Sequence, residues 1–534
     1  MLEAVATLLV YIIESFTGSV IENSATARCR RASSESSDNT KVEAPVQVEE
    51  NPVLRDFTDF DPDDDMFQEF NPLPRNTGKM AWKRSRPPFW KSAPTCFKTV
   101  LIMQLLFGSS IGLLAIAIAV IDFNTADLCY EKTLRWNSMP HLIQSIRVTG
   151  QSIEGFLIQL WHFSVMLCMF GFSTMKELNL LTINLLAAFT DASYRLFLQM
   201  FGIYKQPWMS YPLNVLFASM VIANSCIIAK RIIPARLYNK KTLCKVAGLL
   251  ALQFIVGIPI SFLLVYKIFS WYNSKTEIEK VFIAGVSPLL ATIPKVIARV
   301  AIPKFNLVHP GVLHLLVSSL YTGSALVFRV MQAELMSFWL FAALGVGHAV
   351  VDLVERVTVT MRDHIWEYIY KLLSRCGTSQ TRNFCAGQAR TPRSMRFVAD
   401  VSIQLLLIEA TALVSAVGFI QLYKFMYPDN FPVSKNYFWD LVWEFVRRCL
   451  TGLAIDVVFN TISVWLQVMI FNVAVLKVWN SKKWRFHVIA NIICTVMVVL
   501  YFAEYLFAIV RGKNDGKTAK RFAFNCSLPF SKFY

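Results

Sequence analysis

The feature that most constrains this chain is a series of continuous apolar runs, each about 17 to 30 residues long, divided by polar loops. They lie near 100–122, 155–174, 179–202, 212–229, 246–269, 281–301, 312–330, 335–354, 397–423, 449–477 and 486–510. A helix rises about 1.5 Å per residue, so roughly 20 residues cross the roughly 30 Å of hydrocarbon in a bilayer. A membrane β-barrel would instead alternate apolar and polar residues over strands of about ten. These runs do not alternate. The sequence therefore predicts an all-α, polytopic integral membrane protein with about 11 (10–12) transmembrane helices. Composition agrees, with 55% hydrophobic and 17% charged residues and a mean hydropathy of +0.45, where a soluble chain carries about 25% charge.

The ends of the chain read differently. Residues 1–97 are expected to form a mostly disordered N-terminal arm. Its one apolar stretch, 4–13, lies between Glu3 and Glu14 and is too short to span, so it reads as a short interfacial helix rather than a signal peptide. Beyond it, Ser- and acid-rich segments and recurrent prolines offer too little apolar area to offset the entropy of ordering. Just before the membrane, Lys79, Lys83, Arg84, Arg86, Lys91 and Lys98 alternate with Trp82 and Trp90, a juxtamembrane anchor pattern. The rest divides into a first bundle at 98–354 with about eight spans, a basic loop at 355–396, a second bundle at 397–510 with about three, and a basic tail at 511–534.

Charge placement sets the orientation. The net charge of +17 sits mostly in alternate loops, the richest being 355–396 with Arg356, Arg362, Lys371, Arg375, Arg382, Arg390, Arg393 and Arg396. Basic loops stay cytoplasmic and face anionic lipid, which places the N-terminus inside. The default assignment is the plasma membrane, with membrane lipids as partners and no nucleic acid, since no nucleic-acid motif accompanies the basic residues. The eleven cysteines form no CxxC pair, and no motif points to a cofactor or a metal. Within the loop, Val357, Met361, Ile365, Tyr368 and Leu372 repeat at helical spacing, which predicts an amphipathic helix on the inner face or one that binds a cytoplasmic partner. Arg30-Arg31-Ala32-Ser33 offers Ser33 to a basophilic kinase, and Asn525-Cys526-Ser527 is a glycosylation sequon that matters only if the tail is lumenal.

Polar side chains inside spans are costly in lipid and so face protein or water. In the tenth span Asp456, Asn460, Ser463 and Gln467 recur at helical spacing, within roughly 40° of one another at about 100° per residue. Asn184, Asp191 and Arg195 share one face of the third span, the last two an ion pair one turn apart. Glu409 stands in an otherwise apolar ninth span, with Arg195, Lys295, Arg299 or Arg329 as prospective partners. His348, Asp352 and Glu355 align in the eighth, where His348 is also a candidate general base for acyl transfer. Gly257 and Pro259 in the fifth span, with Pro288 and Pro294 in the sixth, are expected to break helical hydrogen bonding.

Two classes of role fit these residues. In one, Asp456, Asn460, Ser463, Gln467, Glu409, Asp191 and Arg195 bind a small solute and a coupling cation or proton, making a secondary transporter. In the other they are helix glue, each contact worth about 0.6 kcal/mol, in a receptor, channel or scaffold. A lipid-modifying enzyme built on His348 is a further alternative. The orientation is directly testable. An impermeant thiol reagent should label Cys376 and Cys385 only after the membrane is opened, and labelling from outside in intact cells would reverse it.

Overall fold

The computed structural model describes residues 67–73, 75, 81–126, 141–201, 207–263, 267–268, 271–272, 275–305, 307–376, 392–426, 437–481 and 484–518. The apolar stretch at 4–13, Ser33, Cys385 and Asn525 lie outside them. Among the described residues the protein is helical with no strand, and one isolated bridge joins Gln68 to Val473.

The architecture is organised around one helix. Pro392–Met426, here α12, is 94% buried over its most apolar stretch, so it is enclosed by protein where other spans face outward. Around it lie α2 (Ser109–Ala126), α10 (Leu315–Glu334), α13 (Tyr437–Phe471) and α15 (Trp484–Thr518). Outside these, α11 (Phe338–Cys376) packs on α13, and α9 (Glu277–Ala301) packs on α10 and touches α11. A second group packs beside α2: α3 (His141–Gln159), α4 (Trp161–Glu177), α5 (Leu180–Met200) and α6 (Ser210–Ile232). The pair α7 (Lys240–Leu250) and α8 (Leu252–Leu263) bridges α6 to α10. In the chain order, α1 (Phe89–Leu101) enters α2 through a π-helical turn at Ile102–Gly108, and α14 (Val475–Asn480) precedes α15.

Lipid removes most of the hydrophobic drive for helix association, so close backbone approach matters more than in water. Gly108 and Gly112, four residues apart, provide it. A Cβ on Gly108 would sit 2.6 Å from the Ala410 Cβ, and one on Gly112 would sit 2.7 Å from that of Val414. With both absent, α2 lies directly on α12, and the Thr411 hydroxyl donates to the Gly108 carbonyl at 3.1 Å.

Among the described residues, seven helices are long and apolar enough to cross a membrane, or eight if the bent pair Val148–Gln159 and Trp161–Glu177, at 42° to each other, is one span. Four further expected spans stand outside that count. Leu180–Met200 carries Asp191 and Arg195, the 246–269 run breaks between α7 and α8 at Ala251, and Glu277–Ala301 carries five charged residues. Helix α9 runs on through Pro288 and Pro294, and α8 through Pro259, although each proline removes one backbone donor from its helix. The basic loop is not separate from the eighth span: α11 is one helix of 39 residues that carries Val357–Leu373 as its direct extension. Arg447 and Arg448 lie within α13, which runs continuously from Tyr437 to Phe471. Arg448 donates to the Ala333 and Leu335 carbonyls, both at 2.9 Å, and so satisfies the free end of α10.

The expected arm also ends early. Phe67 is buried, and the Asn472 amide grips the Phe70 backbone in both directions, accepting from its N–H at 2.7 Å and donating to its carbonyl at 3.0 Å. Asn472 adopts a left-handed φ of 57° just after α13, a conformation its short polar side chain tolerates. Helix α1 begins at Phe89 rather than at 98, its Phe89 carbonyl accepting from the Trp465 indole N–H at 2.9 Å. No periodicity marks these contacts, because backbone pairing carries them.

The glycine contact predicts a clear mutational contrast. Gly112→Val should cost about 1–3 kcal/mol through overpacking and lower the unfolding temperature in detergent. Gly248→Ala, where a Cβ meets nothing within 4 Å, should leave it unchanged. Equal responses would remove the α2–α12 contact from the account.

Candidate functional site

The charged residues of α9 to α13 converge. Asp456 on α13 receives both its bonds from the Arg329 Nη2 of α10, at 2.8 and 2.6 Å, while Arg329 Nη1 donates to Gln332 Oε1 at 2.9 Å. One turn along α13, the Asn460 amide joins two further charges. It accepts from Arg356 at 2.6 Å and donates to Glu409 at 2.8 Å, and Arg356 and Glu409 themselves form an ion pair. All five of Asp456, Asn460, Arg329, Arg356 and Glu409 are buried. Removing ions from water costs several kcal/mol each, which only close pairing and full hydrogen bonding return.

Beside this core lies a looser set. Arg299 on α9 pairs with Glu355 at 2.9 Å and donates to the Tyr321 hydroxyl oxygen. The Lys295 ammonium lies 5.2 Å over the Tyr321 ring. His348 Nε2 is 3.3 Å from Asp352 Oδ2, and its ring lies 3.9 Å from that of Phe328. A cavity of about 30 Å³ opens among Lys295, Arg299, Tyr321, His348, Asp352, Glu355, Arg356 and Glu409. That is room for a water molecule with several polar partners. Lys295, Arg299, Arg329 and Arg356 match Asp352, Glu355, Glu409 and Asp456 one for one, so four cations face four carboxylates. His348 is the group in the set whose ordinary titration range spans neutral pH.

The helix α11 explains why these residues meet. His348, Asp352, Glu355 and Arg356 repeat at three and four residues, so they form one stripe. Next to it on the same helix, Val346, Val350, Val351 and Val354 are exposed. The charged stripe thus borders the face that α11 turns outward, at its seam with α9.

Only part of the expected site is assembled. Asp456, Asn460 and Glu409 come together. Ser463 and Gln467 are buried on the same helix, but Ser463 Oγ and Gln467 Oε1 meet no hydrogen-bond partner, so the stripe divides after Asn460. Asp191 and Arg195 do pair, at 2.6 Å, but in the second helix group, where Gln159 of α3 donates to Asp191 at 2.8 Å. Gly155 makes room for them, since a Cβ there would fall 2.2 Å from Asp191 Oδ1. Asn184 goes elsewhere, exchanging amide bonds of 2.9 Å with Asn224 beside His162. The cation on Glu409 is Arg356, not Arg195, Lys295, Arg299 or Arg329. Its membership in the His348–Asp352 stripe was the available signal, overridden by the basic residues that follow it.

No family model matches the chain, and neither curated proteins nor solved structures provide a match.

The buried pair gives a stability prediction. Arg356→Met strands Glu409 and should destabilise by about 3–5 kcal/mol. The double variant Arg356→Met/Glu409→Leu should recover most of that loss in thermal unfolding. Additive losses in the double variant would mean that the two side chains do not depend on one another.

Proposed function

We propose that this chain is a multi-pass secondary transporter whose coupling site is the charged cavity lined by His348, Asp352, Glu355 and Glu409. The supporting observation is the company these residues keep. A purely structural ion pair needs one cation and one acid, with the remaining polar atoms satisfied. Here three cations (Lys295, Arg299 and Arg356) and three carboxylates (Asp352, Glu355 and Glu409) line a polar cavity that also holds the His348 imidazole, with the Arg329–Asp456 pair behind it. A proton added to His348 unbalances a neutral set by one charge, which favours regrouping of the pairs around Arg356 and Arg299. That is the electrostatic event a proton- or cation-coupled cycle needs, with Asp456 and Asn460 holding the fixed side of the site. In this reading about eleven helices associate with the membrane, and α9 and α11 border the substrate path. Asp191 and Arg195 are then a structural pair in that second group.

A second reading concerns the substrate and rests on the outward position of the α11 stripe. A solute reaching the α9–α11 seam meets exposed valines and buried charges side by side. An amphiphile with a zwitterionic head and an apolar tail satisfies both surfaces, as a fully water-soluble solute does not.

Proteoliposomes under an imposed pH gradient provide the test. Wild-type protein should carry current with members of a panel of zwitterionic amino acids and amines, or should exchange a headgroup-labelled phospholipid between leaflets. His348→Leu and Asp456→Asn should reduce that activity at least tenfold while keeping a monodisperse profile. Unchanged activity in both variants would sink the coupling role. Activity with the labelled lipid alone would select the amphiphile reading.

A further inference from the structure

Away from that cavity, three side chains of unrelated sequence position meet in a closed pocket. His314 caps the start of α10, Asp400 lies in the third turn of α12, and His487 lies in the first turn of α15. None is more than 1% exposed. One ligand-type atom from each lies within 4.8 Å of the others. His487 Nε2 and Asp400 Oδ1 are 3.2 Å apart, and the two imidazole rings lie 4.6 Å apart at 30°.

Two observations separate this cluster from ordinary polar packing. First, among the described residues neither ring nitrogen of His314 makes a hydrogen bond of good geometry, although the residue is completely buried with the Gly311 backbone as its polar neighbour. A buried imidazole with both nitrogens unmet forfeits hydrogen bonds that water would supply, and an apolar residue would fill the same space without that loss. A metal ion accounts for one of the two nitrogens, since a ligand nitrogen must be free of both proton and partner, and leaves the other to carry the ring proton. Secondly, the spacing is that of a coordination shell. Zinc holds imidazole nitrogen and carboxylate oxygen at about 2.0–2.2 Å, so tetrahedral ligands stand roughly 3.4 Å apart. The His487–Asp400 separation already fits, and His314 needs a shift on the order of 1 Å, which its lack of bonds leaves it free to make.

The surroundings also resemble an outer shell. Arg396 donates to the other Asp400 oxygen at 2.9 Å, which fixes the carboxylate. Gln404 donates to the His487 carbonyl at 2.9 Å and places its amide nitrogen 3.3 Å from Nδ1. Its Oε1 is unpartnered, so a turn of the amide exchanges the carbonyl bond for one accepted from Nδ1–H. Arg396 Nη2 is buried and unpartnered as well.

We propose that His314, Asp400 and His487 form a zinc site that clamps the start of α10, the third turn of α12 and the first turn of α15. Two histidines and one carboxylate favour zinc over calcium or magnesium, which prefer oxygen shells. The site is independent of the transport reading, and it would fix the helices that carry Arg329 and Glu409.

The test uses the full chain in detergent, stripped with a chelator and titrated with Zn²⁺ against a chromophoric competitor. Wild type should bind one zinc per chain saturably and unfold at a higher temperature when loaded. Cobalt, as a spectroscopic probe, should give the intense visible absorption of a tetrahedral site. His314→Leu removes a ligand without removing a hydrogen bond. Its metal-free form should unfold at the wild-type temperature, while zinc affinity falls at least 100-fold and the cobalt spectrum disappears. Absence of one-per-chain binding in wild type overturns the proposal without reference to any variant. So does equal zinc affinity, or an unchanged cobalt spectrum, in His314→Leu.

Discussion

The linked pairs Arg329–Asp456 and Arg356–Glu409, joined through α13 by Asn460, are the interaction on which the rest of the bundle depends. Their four charged members come from α10, α13, α11 and α12, so the network fixes four helices in rotation as well as position. In lipid, apolar faces are nearly interchangeable, and van der Waals contact alone leaves helix rotation poorly specified. Buried charge specifies it sharply, because a small rotation leaves an ion stranded. The central helix α12 therefore needs both its glycine contact with α2 and its carboxylate contact with α11 and α13.

The two halves of the polar interior differ in kind. The Asp191–Arg195 pair is closed: each partner is satisfied within one turn, Gln159 takes the second oxygen, and Gly155 gives space for nothing else. The α9–α11 region is open by comparison. His348, Asp352 and Glu355 are only partly enclosed, Lys295 rests on an aromatic face, and the cavity between them is polar.

What the sequence makes legible follows from range. Apolar runs report helices, because each run satisfies its own backbone in lipid. The Asp456–Asn460 spacing reports a shared face for the same local reason. Arg356 was hidden by its neighbours, since topology rules count a basic residue near a span end as part of the loop. The apolar runs do not report how Asp191, Arg195, Lys295 and Arg299 are accommodated inside them, because only partners on other residues and helices show it. The contact of Gly108 and Gly112 with α12 is half legible: the four-residue spacing is visible, but not the face it meets. The Phe70–Asn472 pairing and the His314–Asp400–His487 cluster join residues far apart in the chain, and no periodicity marks either.

The central claim is that protons enter and leave the His348–Asp352–Glu409 region while the bundle stays folded. Infrared difference spectroscopy on the purified full chain, recorded across a step between pH 5 and 8, measures this most directly. The account predicts an imidazole signal together with a change in carboxyl bands, with the imidazole component lost in His348→Leu and the carboxyl component altered in Glu409→Gln. A difference spectrum identical in wild type and both variants would show that these groups keep one protonation state, and would leave the cluster as structural ion pairing alone.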